Sequence, residues 1–122
     1  MPTMNEAELT AALRQFTGTE TWFRHEIYRL YTYTEGVQFL AEHAGAYWLV
    51  DEIFGCQYES DEVKREVFQL WTLTTDKNRG ILSCEDGNGL VVFRKFISPT
   101  DFPMKEIRLF FTDGVLLLPS EY

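Results

Sequence analysis

Little in this sequence could serve as a covalent or metal staple. It has two cysteines, Cys56 and Cys84, too few and too far apart for a disulfide framework or a close metal-ligand pair. Both are expected to be reduced and buried. No apolar run approaches the ~20 residues that a membrane-spanning helix needs. The opening MPTMNEAEL has neither a basic stretch nor an apolar one, so no targeting segment is read there and a cytoplasmic protein is expected. Repeats, low-complexity tracts and Pro/Ser/Gly linkers are also missing, and 122 residues suit one domain, 1–122.

Basic charge is scarce as well. Eleven Lys and Arg stand against nineteen Asp and Glu, for a formal net charge of −8. Residues 1–62 hold eleven acids and three bases, whereas residues 63–122 hold eight of each. Proteins bind nucleic acid by neutralising phosphates with Lys and Arg, so direct nucleic-acid binding is disfavoured. The same field attracts a basic patch on a protein partner.

Apolar and aromatic residues are plentiful. Hydrophobic content is 45%, and ten Phe, six Tyr and three Trp supply bulk for a core that needs no staple. Asn5 with Glu8 three residues on is a capping box, and Leu9, Ala12, Leu13 and Phe16 form a helical stripe that Gly18 closes. Residues 21–33 read as extended. Thr34 then offers a cap for a second helical region. There Val37, Leu40, Ala41 and Ala44 form one apolar stripe, and Ala46, Leu49, Val50, Ile53 and Phe54 form another about half a turn out of phase. The choice is between a break near Gly45 and a single helix between two apolar surfaces. One central helix bent at Gly45 is the favoured expectation, with Gly55 as its stop. Residues 59–66 read as a charged connector, with one helical turn capped by Ser60.

From Phe68 the pattern becomes that of strands. Residues 68–74, 81–84, 90–97, 107–112 and 115–118 are β-like, separated by turn signals. Asp113-Gly114 is the sharpest of these, since a type I′ turn needs positive φ at both central positions. Short connections predict an antiparallel β-meander of four to five strands. The N-terminal helical half would pack on one face, giving a two-layer α+β domain.

Several strings resemble a known family. Phe16-Thr17-Gly18-Thr19-Glu20, residues 40–49 (LAEHAGAYWL), Trp71-Thr72-Leu73, Asp101-Phe102-Pro103 and residues 113–122 (DGVLLLPSEY) are similar to small bacterial proteins grouped as domain of unknown function 6876. The resemblance spans nearly the whole chain. It implies a phage or plasmid context and brings no catalytic residues.

Candidate chemistry is sparse. Glu42-His43 is the place to look for acid/base work, but no nucleophile is placed beside it, and a structural histidine at a helix boundary is the stronger reading. His25, His43, Cys56 and Cys84 lack the close pairs of a zinc site, so neither metal nor cofactor is expected. Asp86 and Glu85 next to Cys84 oppose a reactive thiolate. Gly80, Gly87 and Gly89 lie in hairpin turns rather than a phosphate loop. Tyr47, Trp48 and the Asp-Phe-Pro loop read as core.

The acidic run Asp51, Glu52, Glu59, Asp61, Glu62 and Glu66 is either a solvated connector or a face that docks on basic protein. Lys64 and Arg65 interrupt it. The leading expectation is a non-enzymatic acidic protein-binding module, an inhibitor or modulator of a nucleic-acid-handling or defence complex, with no membrane partner. Two alternatives stay open: a small hydrolase or transferase using Glu42 and His43, and a homodimeric scaffold joined through a strand edge.

Overall fold

The computed structural model describes residues 2–18 and 20–122; Met1, and Thr19 of the Phe16–Glu20 string, lie outside them. Helix α1 (Glu6–Leu13) starts on the capping box. The Asn5 side chain accepts from Glu8 N–H at 2.9 Å, and Glu8 accepts from Asn5 N–H at 2.9 Å. The helix stops at Leu13 rather than at Gly18. Its end tightens as Gln15 and Phe16 donate to Ala12 and Leu13, i→i+3 bonds that use up the last carbonyls. Phe16 still reaches the core from the loop, 5.4 Å from the Phe39 ring.

The stretch expected to be extended forms two short strands, β1 (Trp22–Arg24) and β2 (Thr32–Thr34), paired antiparallel. Between them the chain wraps around His25. Thr34 caps α2 (Glu35–Ala44), accepting from Val37 N–H.

The expected single central helix is two helices. Gly45 takes φ 64° and ψ 42°, a left-handed C-cap, and α3 (Tyr47–Glu59) begins two residues later. The phase offset between the apolar stripes was the signal of this break. Each helix turns its own stripe to the core, which one straight rod could not do. Gly55 is not a stop but a buried mid-helix position. A Cβ there would lie 3.1 Å from the Tyr28 hydroxyl, so the glycine admits that side chain. Ser60 caps the short α4 (Asp61–Lys64) by accepting from Val63 N–H.

The strands β3 (Phe68–Asp76), β4 (Arg79–Glu85), β5 (Val91–Ile97), β6 (Glu106–Thr112) and β7 (Val115–Leu117) follow. The architecture is α+β, but the sheet is larger than expected and mixed. Its seven strands run in the order β1-β2-β7-β6-β3-β4-β5, and β2 pairs with β7 in parallel. It is not a simple meander, because residues 98–105 carry the chain back past β4 and β3 so that β6 pairs with β3. Asp113 and Gly114 take φ 54° and 75°, as the β6–β7 hairpin turn requires.

Burial alternates along β3 and β4, so one sheet face meets the helices and the other does not. Trp71, Leu73, Leu82 and Leu109 pack with Leu40, Leu49, Ile53 and Phe54 in one buried cluster. A polar knot inside it sets the position of α3 on the sheet. Gln57 and Gln69 exchange amide hydrogen bonds at 2.8 and 3.0 Å, and Trp71 Nε1 donates to Gln69 Oε1 at 2.9 Å. The second N–H of the Gln69 amide is shared between the carbonyls of Val63 and Glu66, joining α4 to the knot. Every partner is satisfied, which is what makes a buried amide pair tolerable.

Candidate functional site

A cleft of about 430 Å³ lies between the β1–β2 loop and the first turns of α3, lined by His25, Glu26, Ile27, Tyr33, Tyr47, Val50 and Asp51. The loop is shaped by His25. Its Nδ1 accepts from the backbone N–H groups of Ile27 and Tyr28, both at 3.0 Å. An N–H can only donate, so Nδ1 is bare and the ring proton sits on Nε2, where it is given to Asp51 Oδ1 at 2.5 Å. The ring is buried against Tyr28 and Phe54. Arg24 closes the loop further by donating from Nη1 to the Arg29 carbonyl.

This histidine and carboxylate do not make an acid/base pair. A general base presents a free nitrogen lone pair to its substrate, and here the lone pair is spent on two backbone donors. His25 is a loop organiser.

The cleft walls combine aromatic faces with negative charge. Tyr33 is held above the ordinary phenol range by burial first and then by the charges of Glu26 and Asp51. Tyr47 is likewise raised, by burial and then by its bond to Glu42, which accepts from the hydroxyl at 3.1 Å. Among the described lining residues there is no lysine or arginine.

Glu42 therefore adjoins the cleft through Tyr47, while His43 turns elsewhere. His43 Nδ1 lies 2.9 Å from the Thr3 hydroxyl, its carbonyl accepts from Thr3 and Met4 N–H, and its ring rests 4.3 Å from Phe39. It fastens the N-terminal segment to the end of α2. His25 and His43 do not meet in one cleft.

The structure divides the acidic run. Asp51 belongs to the cleft, with its side chain 60% exposed. Glu52 is tied to Lys95 of β5 at 2.5 Å. Glu59, Asp61 and Glu62 are exposed at the junction of α3 and α4, next to Lys64 and Arg65. Sequence reasoning missed Glu26, Tyr33 and Tyr47 as neighbours of Asp51. Tyr47, expected in the core, is 41% exposed, whereas Phe102 of the Asp-Phe-Pro loop is buried as expected. The only signal was the uneven alternation over residues 21–33, which does not fit a continuous strand.

Among the described residues no group of three or more His, Cys, Asp or Glu is placed to hold a metal ion. Cys56 and Cys84 are buried in the core, and both thiols are pushed up to about 12, chiefly by burial. Such thiols stay protonated and unreactive at neutral pH. No helix among the described residues is long and apolar enough to cross a membrane.

Comparison with known proteins gives one match. A family model described as a family of unknown function, DUF6876, matches residues 7–122. No curated protein and no solved structure matches.

Proposed function

For a chain that belongs to the DUF6876 family, we propose a non-enzymatic role as an acidic protein-binding module that docks on a basic surface of another protein. The observation that carries this reading is the cleft, where Glu26 and Asp51 face Tyr33 and Tyr47 with no lysine or arginine among the described lining residues. Carboxylates beside aromatic faces favour an ammonium or guanidinium group, which gains both charge pairing and cation–π contact. The exposed Glu59, Asp61 and Glu62 extend the negative field that steers such a partner. The partner class that fits is a nucleic-acid-handling or defence complex, whose basic surface the module would occlude or adjust. Phosphate-bearing ligands are repelled by the same field.

The test is capture by the immobilised chain from an extract of its native host, followed by measurement with the purified partner. Binding should be stoichiometric and should weaken with salt as the Debye length falls to roughly 10 Å at 0.1 M. It should be lost in a Glu26→Gln, Glu42→Gln variant that leaves His25 and Asp51 intact. Recovery of no partner at low or moderate salt overturns the reading.

A further inference from the structure

The sheet face turned away from the helices is uncovered, and its composition differs from that of the rest of the molecule. Register aligns its outward residues in rows. Thr74, Ile81 and Phe96 form one row, with Glu106 beside Thr74 on β6. Thr72, Ser83 and Arg94 form the next, with Arg108 beside Thr72. Phe96 is 77% exposed and Ile81 37%, in the same row. At the other end of the face Tyr122 lies over Phe68 and Phe110, with ring centroids 5.6 and 5.4 Å away, yet remains 72% exposed. The face thus carries an apolar cluster at each end, Ile81 with Phe96 and Tyr122 with Phe68 and Phe110, and such grouped exposed apolar side chains mark contact surfaces.

Charge indicates what kind of partner fits. The outward positions of β3 to β6 carry Arg79, Arg94 and Arg108 against Asp76, Glu85 and Glu106, three of each sign. The net charge of −8 arises entirely from residues 1–62, which supply β1 and β2 to the sheet but carry most of their acids on the helices of the opposite layer. A strongly basic or strongly acidic partner gains nothing from a balanced face. A second copy of this chain fits such a face, because stacking these faces keeps the acidic layers outermost, where distance and screening leave their mutual repulsion smallest.

We propose that the uncovered sheet face joins two copies of the chain in a two-fold, face-to-face dimer with the sheets about 10 Å apart. The free edge of β5 is a poorer joint. The two-fold register that pairs all seven of its residues sets Arg94 against Arg94, and like charges directly opposite destabilise a strand pair. Lys95 beside it is already held by Glu52. A face of four strands, each about seven residues long, is of modest size, so the dimer is a reversible rather than an obligate pair.

Sedimentation equilibrium of the full chain, followed to about 0.1 mM, tests the proposal. The wild type should show a monomer–dimer equilibrium. Phe96→Glu and Tyr122→Glu, at opposite ends of the face, should each raise the dissociation constant about tenfold or more with unchanged circular dichroism. Tyr122 lies over β3 and β6, away from the β5 edge, so its variant separates the two joints. A monomer throughout the range overturns the proposal. So does a dimer that survives Tyr122→Glu, whatever Phe96→Glu does.

Discussion

The carboxylate of Glu121 accepts the backbone N–H of Gly36 at 3.2 Å, so the C-terminal end of the chain caps the first turn of α2. The same group accepts from the Thr34 hydroxyl at 2.6 Å and from Leu118 N–H at 3.0 Å. A carboxylate at a helix N-terminus gains from unpaired donors and from the helix dipole. The approach is close enough to exclude a side chain at residue 36. A Cβ there would stand 2.6 Å from Glu121 Oε1 and 2.7 Å from Leu118 Cδ1.

Gly36→Ala should therefore destabilise the protein although alanine is the better helix former. Overpacking of this kind costs about 1–3 kcal/mol. Glu121→Gln, which keeps the shape and loses the charge, should cost about 1–2 kcal/mol. Urea midpoints check both, and a Gly36→Ala protein as stable as the wild type would show that the cap is not held as described.

His25→Ala should cost about 2–4 kcal/mol, because it removes the acceptor of the Ile27 N–H and of the half-buried Tyr28 N–H and opens a cavity beside Phe54. Hydrogen exchange should accelerate at those two amides in particular. Asp51→Asn keeps an acceptor for Nε2 and should cost less than about 1 kcal/mol. Equal losses for the two variants would mean that the hydrogen bond from Nε2 to Asp51, and not the backbone bonds, organises the loop.

The two thiols predict an alkaline weakening. Burial raises both from 9.0 to about 12. The charges of Glu52 and Glu59 add to the effect at Cys56, and neighbouring Cys56, Glu66, Glu85 and Asp86 add to it at Cys84. The fold holds the neutral form. Its stabilisation is complete below about pH 9 and is lost as pH climbs towards 12. At about pH 10.5 the loss should be on the order of 2 kcal/mol per thiol. Urea midpoints at neutral and alkaline pH measure it, and a Cys56→Ala, Cys84→Ala variant should show a flatter profile. Neither thiol should react with an aromatic disulfide reagent at neutral pH until the chain unfolds.

Features of short range were open to sequence reasoning. Asn5, Thr34 and Ser60 each cap the helix that follows, and Asp113-Gly114 turns its hairpin, because each acts on backbone groups three or four residues away. The phase change between the Val37 and Leu49 stripes carried the break at Gly45, but periodicity alone does not distinguish a kink from a sandwiched helix. Gly55 showed the limit of a local rule. Its meaning depends on Tyr28, which arrives from a different element.

The chain alone determined the α+β class, the acidic first half and the balanced second half, since composition and local hydrogen bonding suffice for those. Tertiary structure decided that β6 lies beside β3, that β2 runs parallel to β7, and that Glu26, Tyr33, Tyr47 and Asp51 share a cleft. Strand edges carry the same backbone donors and acceptors whatever their sequence. Only packing of the complete chain, with the Gln57–Gln69–Trp71 knot and the Glu121 cap satisfied together, selects among those pairings.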